Sequence, residues 1–307
     1  MNRFGQSLLS GRMITTAEVL APAGADPAAL RALSLSVPSF LDAVIVADNP
    51  DRIRSSAFSA AVELSRRKAA GVILSMTTRD RNRLALMSDA LGAAALGVEG
   101  ILCMSGRHGS IDICPEAAAA GDFDSIQLVQ AMKRMVLDGA DPKSKKKAPA
   151  LNLQIGATVH PYLRPLQLNL MCVRKKISVG ADFLVTQAVF DTEEFESWMA
   201  ALRRRGLDKR TAIIASVLPL SSGEHVRALQ RSRMYGPIGD DIVDRISAAP
   251  DPAAEGLSIA AEIANILRGI RGVRGIHVIG GGCGLVPPEM FSEKAGWKSE
   301  DRGSVNA

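Results

Sequence analysis

Residues 71–106 read GVILSMTTRDRNRLALMSDALGAAALGVEGILCMSG, and the periodicity of this stretch decides the architecture. It opens on an apolar run, GVILSM (71–76), and closes on a second, GILCMS (100–105). Short runs that are apolar throughout are expected of strands buried on both faces of a parallel sheet. Between them Leu84, Met87, Leu91 and Ala94 recur at helical spacing, which predicts a helix over Asp80–Gly97 with that face inward. The unit is therefore strand, helix, strand.

Working outward, the same alternation fills the chain. Candidate strands are Ile14–Ala21, Ala43–Asp48, Gly71–Thr78, Gly100–Gly106, Leu153–Pro161, Phe183–Asp191, Ile213–Leu220 and Gly275–Gly282. Helical patterns lie between them, among them Asp124–Leu137 with Leu128, Met132, Met135 and Val136 inward. Another is Ala253–Arg268, with Ile259, Ile263, Ile266 and Leu267 inward. Thr192 is the expected cap of the helix after FDT, with Glu193 and Glu194 favoured in its first turn. Eight such strands, each followed by a helix, are what a (β/α)8 TIM barrel requires. A doubly wound open sheet is disfavoured, because the first turn, EVLAPAGADP (18–27), has no GxGxxG. The expectation is one barrel over residues 1–290 and a polar, loose tail over 291–307, with 139–150 as a loop insertion.

Composition removes whole classes of function. The chain has 307 residues, 47% hydrophobic and 22% charged, an ordinary globular balance. Its net charge of +5 owes four units to Lys143, Lys145, Lys146 and Lys147 in the loop-like run DPKSKKKAP (141–149). Aromatic residues make up only 4%, too few for a base-stacking platform, so no nucleic-acid partner is expected. Cys103, Cys114, Cys172 and Cys283 form no CxxC pair and no metal site is indicated. The N-terminal segment lacks the apolar core of a signal peptide, and no run is long enough to cross a bilayer. A cytoplasmic protein is expected, and apolar outer helices make a homo-oligomer plausible.

In a barrel of this kind reactive groups sit where strands end, on the face built by the βα loops. Glu18, near the end of strand one in ITTAEVLAP (14–22), is read equally as a desolvated acid holding a proton near neutrality or as a structural partner of an arginine. Gln187, in FLVTQAVFD (183–191), suits a ligand edge of adjacent donors and acceptors, or a loop brace. Thr77 and Thr78 end strand three, and His160 ends strand five in GATVHP (156–161). A lone His there is more often packed than ligating. Arg79–Arg83 reads either as a solvated helix start capped by Asp80 or as an anion site. Lys175 and Lys176 read as a solvated face or as phosphate partners at the rim, and Gly280–Gly284 (GGGCG) as a weak phosphate turn.

Taken together these stretches resemble the methylenetetrahydrofolate reductase family. The similarity is carried by TTRDRNRLALMSDALGAAALGVEGILCMSG (77–106), GDFDSIQLV (121–129) and KKISVGADFLVTQAVFDTEEF (175–195). It continues more faintly through SVLPLSSGEHVRAL (216–229) and EGLSIAAEIANIL (255–267) to IHVIG (276–280), so that it spans roughly residues 14–282 in order. The resemblance implies a barrel that binds FAD and a folate, with NADH or NADPH as hydride donor. It implies the reduction of 5,10-methylenetetrahydrofolate to 5-methyltetrahydrofolate in one-carbon and methionine metabolism. Glu18 then matches the general acid and Gln187 the pterin ligand. Thr77, Ser105, Gly106, His160, Lys175 and Lys176 match positions around the flavin.

The family pattern also marks departures. Arg107 stands where an Asp beside flavin and pterin is usual, which would make it a substrate-side residue of opposite charge. Ser105 replaces a common Arg, Ser75 a common His, Asn169 an acidic flavin ligand, and Gly223 falls where some members stack an aromatic. These changes keep two further expectations open: an enzyme that oxidises 5-methyltetrahydrofolate, and a non-catalytic or flavin-poor folate-binding barrel.

Overall fold

The computed structural model describes residues 1–106, 114, 116–139, 150–232 and 235–280. Eight parallel strands close into a barrel in chain order: β1 Ile14–Leu20, β2 Ala43–Ala47, β3 Gly71–Thr77, β4 Gly100–Met104, β5 Gln154–Val159, β6 Phe183–Ala188, β7 Ala212–Val217 and β8 Val273–Val278. Helices α1 (Arg3–Leu9), α2 (Pro27–Leu35), α3 (Ala57–Arg67), α4 (Arg83–Ala95), α5 (Ser125–Asp138), α6 (Leu166–Ser178), α7 (Thr192–Arg203), α8 (Gly223–Ser232), α9 (Asp240–Ala248) and α10 (Pro252–Gly269) surround or cap it. The fold is the single-domain (β/α)8 barrel that the alternation predicted. The 291–307 tail and the core of the 139–150 insertion lie outside the described residues.

Alternation along each strand makes two separate cores. On β1, Ala17 and Val19 face outward into the large cluster shared with the helices. Ile14 faces the lumen, where it packs with Phe4, Ala43, Ile45, Ile73, Leu102, Phe183, Val185, Ala212 and Ile214. By the same period of two, Thr16 and Glu18 point inward above Ile14. The floor is sealed by α1, an element the periodicity did not anticipate, whose Phe4 meets Phe183 edge to face at 5.1 Å. Gly156 on β5 makes this possible, because a Cβ there would overlap the Phe183 ring. With the floor plugged by apolar groups, the inward polar positions among the described residues lie toward the C-terminal ends of the strands, the mouth of the barrel.

Four local expectations need correction. In α4 the fully buried stripe is Leu86, Ala90 and Ala93, with the expected Met87, Leu91 and Ala94 partly buried against the same core, while Leu84 is 77% exposed. In α10 Ile266 is outside, and the inward stripe is Ile259, Ile263 and Leu267. Caps also shift by one or two residues. Asp191, not Thr192, accepts from Glu194 N at the start of α7. Asn82, not Asp80, accepts from Ala85 N at the start of α4. In both cases the residue in extended backbone just before the first turn is the one that can reach back to the free N–H groups.

Candidate active site

Glu18 stands at the mouth, two residues above the fully buried Thr16 on the lumen side of β1. Its Oε2 accepts from Gly280 N at 3.1 Å, just beyond the end of β8. Burial raises the carboxyl pKa from 4.5 to about 7; the Gly280 N–H and the Arg54 guanidinium act against that rise, and nearby Asp51 adds to it. Arg54 cannot neutralise Glu18 fully, because it is held elsewhere. Its Nε and Nη2 clasp both Asp51 oxygens at 2.7 Å, and Nη1 donates to Ala21 O at 3.0 Å. The result is a carboxyl with one oxygen pinned and the other available to carry a proton near neutral pH.

A second arc of the mouth is built on β2–β4. Thr77 ends β3, and both its N–H (3.1 Å) and its hydroxyl (2.9 Å) donate to Asp48 Oδ2 at the end of β2. Arg81 closes the group by pairing with Asp48 and, at 3.1 Å, with Asp89. Asp80 is not a cap here; it pairs with Arg79 at 2.6 Å, and this pairing holds its pKa below the ordinary carboxylate value. The β4 exit, Ser105–Gly106, is exposed and nearly bare of side chain. Gly106 has φ +79°, and a Cβ would stand 3.0 Å from that of Arg79, so glycine is required where the turn passes Thr77.

The third arc is the β5–α6 connection and β6. His160 is half-buried and meets the Tyr162 ring edge to face at 6.3 Å. Asn169 is buried with its amide committed: Nδ2 donates to the carbonyls of His160 (2.7 Å), Leu163 (3.1 Å) and Pro161 (3.4 Å), and Oδ1 accepts from Trp198 Nε1 at 3.1 Å. The two Nδ2 hydrogens are shared among these three carbonyls and a carboxylate has none to offer, which accounts for an amide at a position where an acid is common in the resembling family. Lys176 donates to Thr158 O at 2.7 Å, and burial lowers its pKa; Lys175, one step round the helix, is exposed. Neither lysine is seen bonded to a mouth residue.

Gln187 lies at the inward parity of β6, beside an irregularity in the β6–β7 pairing. Two hydrogen bonds pin that irregularity, from Ser216 N to Thr186 Oγ1 (2.9 Å) and from Ser216 Oγ to Thr186 O (2.6 Å). The Gln187 side chain is half-buried and has no hydrogen-bond partner among the described residues, an uncommitted amide at the inward parity of the strand. Glu18, Thr77, Ser105, Gly106, His160 and Gln187 thus share the C-terminal rim. Arg107 lies outside the described residues, as do Gly281–Gly284.

Sequence reasoning passed over three groups at this end. Asp48 carried the same signal as Glu18, an acid closing the apolar strand DAVIVAD (42–48). The Asp51–Arg54 pair had only a three-residue spacing to announce it. His277, one layer beneath Glu18, is buried on the inward face of β8, with Nδ1 3.0 Å from Thr16 Oγ1; burial lowers its pKa to about 3, so the imidazole is neutral. Its signal was a polar residue two places after the inward Gly275. Among the described residues no group of three His, Cys, Asp or Glu could hold a metal, and no helix is long and apolar enough to cross a membrane.

Fold and rim together define a single-domain barrel whose C-terminal rim carries, on β1, an acid raised toward neutrality and, on β6, an amide without a hydrogen-bond partner among the described residues. Residues 3–280 match methylenetetrahydrofolate reductase, and the chain belongs to that family. "Methylenetetrahydrofolate reductase 2" of Saccharomyces cerevisiae is 28% identical over 110 residues, which is 35% of this chain and 17% of the yeast protein, so the match spans only a small part of that relative. Among solved structures, an uncharacterised protein from Clostridium thermocellum that binds two copies of 5-methyl-5,6,7,8-tetrahydrofolic acid superposes with TM-score 0.62 at 13% identity, covering 90% of this chain and 92% of that one. Oxaloacetate acetylhydrolase bound to 3,3-difluorooxalacetate superposes with TM-score 0.52 at 12% identity, covering 92% and 80%. At these identities the structural likenesses show the fold.

Proposed function

We propose that the mouth binds a reduced folate and that the protein reduces 5,10-methylenetetrahydrofolate to 5-methyltetrahydrofolate, with NADH or NADPH as electron source and FAD as relay. The observation that carries this reading is Glu18: an inward carboxyl with a pKa of about 7, held by Gly280 N–H. Opening the five-membered ring of the methylene-folate requires a proton at N10, and an acid is most effective when its pKa lies near the working pH. With Oε2 occupied by the amide, the proton sits on Oε1 and is directed at the substrate. Gln187 supplies an amide whose donor and acceptor can pair with a pterin edge. Membership of the family, and the 5-methyltetrahydrofolate bound by the Clostridium protein, support a folate as ligand.

The residues present fit a flavin along one arc only. Ser105 and Gly106 offer an exposed backbone turn that a Cβ at Gly106 would crowd, with Thr77 beside it and His160 on the next strand. Ser105, Gly106 and His160 would hold the group, with Thr77, whose N–H and hydroxyl are given to Asp48, shaping the turn beside it, and the exposed Lys175 able to reach an anionic part of it. Asn169 and Lys176 are spent on Trp198 and backbone carbonyls, and contribute to the shape of the site rather than to contacts. Bound there, a flavin would supply hydride to the opened folate. The chain's own work is to orient the folate through Gln187 and to deliver from Glu18 the one proton that remains on N10 in the product, Glu18 then being reprotonated from solvent.

The commitment of Asn169 and Lys176 favours one alternative, a folate-binding barrel that carries no flavin. The visible spectrum of the purified protein separates the two. A flavin band, with NADH or NADPH oxidised only when methylene-folate is present, supports the reductase. Colourless protein that binds 5-methyltetrahydrofolate without turnover establishes the alternative. Arg107, on which the opposite reaction direction rests, lies outside the described residues.

A further inference from the structure

Away from the mouth, α6 and the loop between α7 and β7 enclose a hollow of about 410 Å³ on the outer wall. Gln167, Leu170, Met171 and Arg174 lie at i, i+3, i+4 and i+7 on α6 and so share the face that forms one side. Leu170 and Leu207 are buried at its base, and Met171 keeps 44% of its surface exposed, an apolar side chain left open to water. Arg174, Arg205 and Arg210 stand around this apolar base, and no acidic residue lines it. Nearby, Arg164 just before α6 pairs with Glu194 and Arg203 at the end of α7 pairs with Glu196, while Arg204 in the loop itself makes no ion pair among the described residues. Arg174 and Arg210 make no ion pair among the described residues, and Arg205 gives one donor to Ala201 O at 3.2 Å.

Three like charges around one apolar hollow repel one another, and an anion seated among them converts that repulsion into attraction. Guanidinium forks suit carboxylate and phosphate oxygens, and a hollow of this volume is in the range of small-molecule sites. An inorganic anion would satisfy the charges and leave the Leu170–Met171–Leu207 surface wet. From this we infer that the hollow is a second binding site, for a small organic dianion with a flat or aliphatic body, such as a phosphate monoester or a dicarboxylate. The inference is independent of the folate reading, since it uses no residue of the mouth.

Isothermal titration with 1-naphthyl phosphate tests it on the full-length protein. Wild type should bind one equivalent, and the Arg174→Ala/Arg210→Ala double variant should bind at least tenfold more weakly. Inorganic phosphate and 1-naphthol, which lack the ring and the charge respectively, should each bind wild type at least tenfold more weakly than the parent probe. Met171→Ser, which leaves every charge in place, should weaken naphthyl phosphate but not inorganic phosphate. Equal binding by wild type and the double variant, which would put the probe at the mouth or elsewhere, overturns the inference. So does naphthyl phosphate binding no better than phosphate, or no binding at millimolar concentration.

Discussion

Replacing Glu18 by Gln should make this protein more stable at alkaline pH while removing folate turnover. The carboxyl has a pKa of about 7 in the folded chain against 4.5 in its ordinary state, so the folded state binds its proton more tightly than the unfolded state. Its stabilising contribution is therefore full below about pH 4.5 and is lost as the pH rises through 7. Over that window the loss is about 2–3 kcal/mol, at 1.36 kcal/mol per pKa unit and allowing for the side chain's residual contact with solvent. Gln keeps an oxygen for the Gly280 N–H and cannot ionise. Urea unfolding should thus show the variant equal to wild type near pH 4.5 and more stable by about 2–3 kcal/mol at pH 8. In the same preparation, methylene-folate-dependent oxidation of NADH or NADPH should fall roughly 10²- to 10⁴-fold, the usual worth of a positioned acid. Wild-type turnover should itself decline about tenfold per pH unit above 7, as the acid form is depleted. A variant no more stable than wild type at pH 8 would mean that the carboxyl is not desolvated. Retention of full turnover would refute its role as acid.

His277 works in the opposite sense. Its folded pKa of about 3 lies below the ordinary 6.5, so the stability it confers is present above pH 6.5 and is lost as the pH falls toward 3. Replacement by Gln should flatten the acid limb of the unfolding curve by roughly 4 kcal/mol, and an unchanged limb would show that the imidazole is not buried neutral. Gly156→Ala should cost about 1–3 kcal/mol by driving a methyl into the Phe183 ring, and Phe183→Leu in the same chain should recover part of that loss in the thermal midpoint. Asn169→Asp should cost about 3 kcal/mol or more, because it removes the Nδ2 donations to the 160–163 loop and sets a carboxylate against the same carbonyls. Hydrogen exchange over 160–165 should quicken in that variant, and protection equal to wild type would exclude the brace.

The barrel was legible in the one-dimensional chain, because a strand buried on both faces must be apolar throughout and a wall helix apolar on one side. GVILSM, GILCMS and DAVIVAD each became a strand of the barrel, and the rule that chemistry sits where such strands stop pointed to Glu18, Thr77 and Gln187, which stand at that rim. The same rule applied to DAVIVAD would have found Asp48. Hydrophobic spacing was less reliable within helices: the α4 face ran through Leu86, Ala90 and Ala93 rather than Leu84, since alanine carries little hydrophobic weight but allows the closest approach. Nothing along the chain could show that Asn169 faces three carbonyls and a Trp indole, or that Lys176 turns to Thr158. Nor could it show that Gly280, 262 residues away, would hold the Glu18 carboxyl. Periodicity reports which side of an element avoids water, an average property written locally. Which polar atom meets which depends on closure of the barrel, where β8 returns beside β1 and a pKa is set by groups that share no sequence neighbourhood.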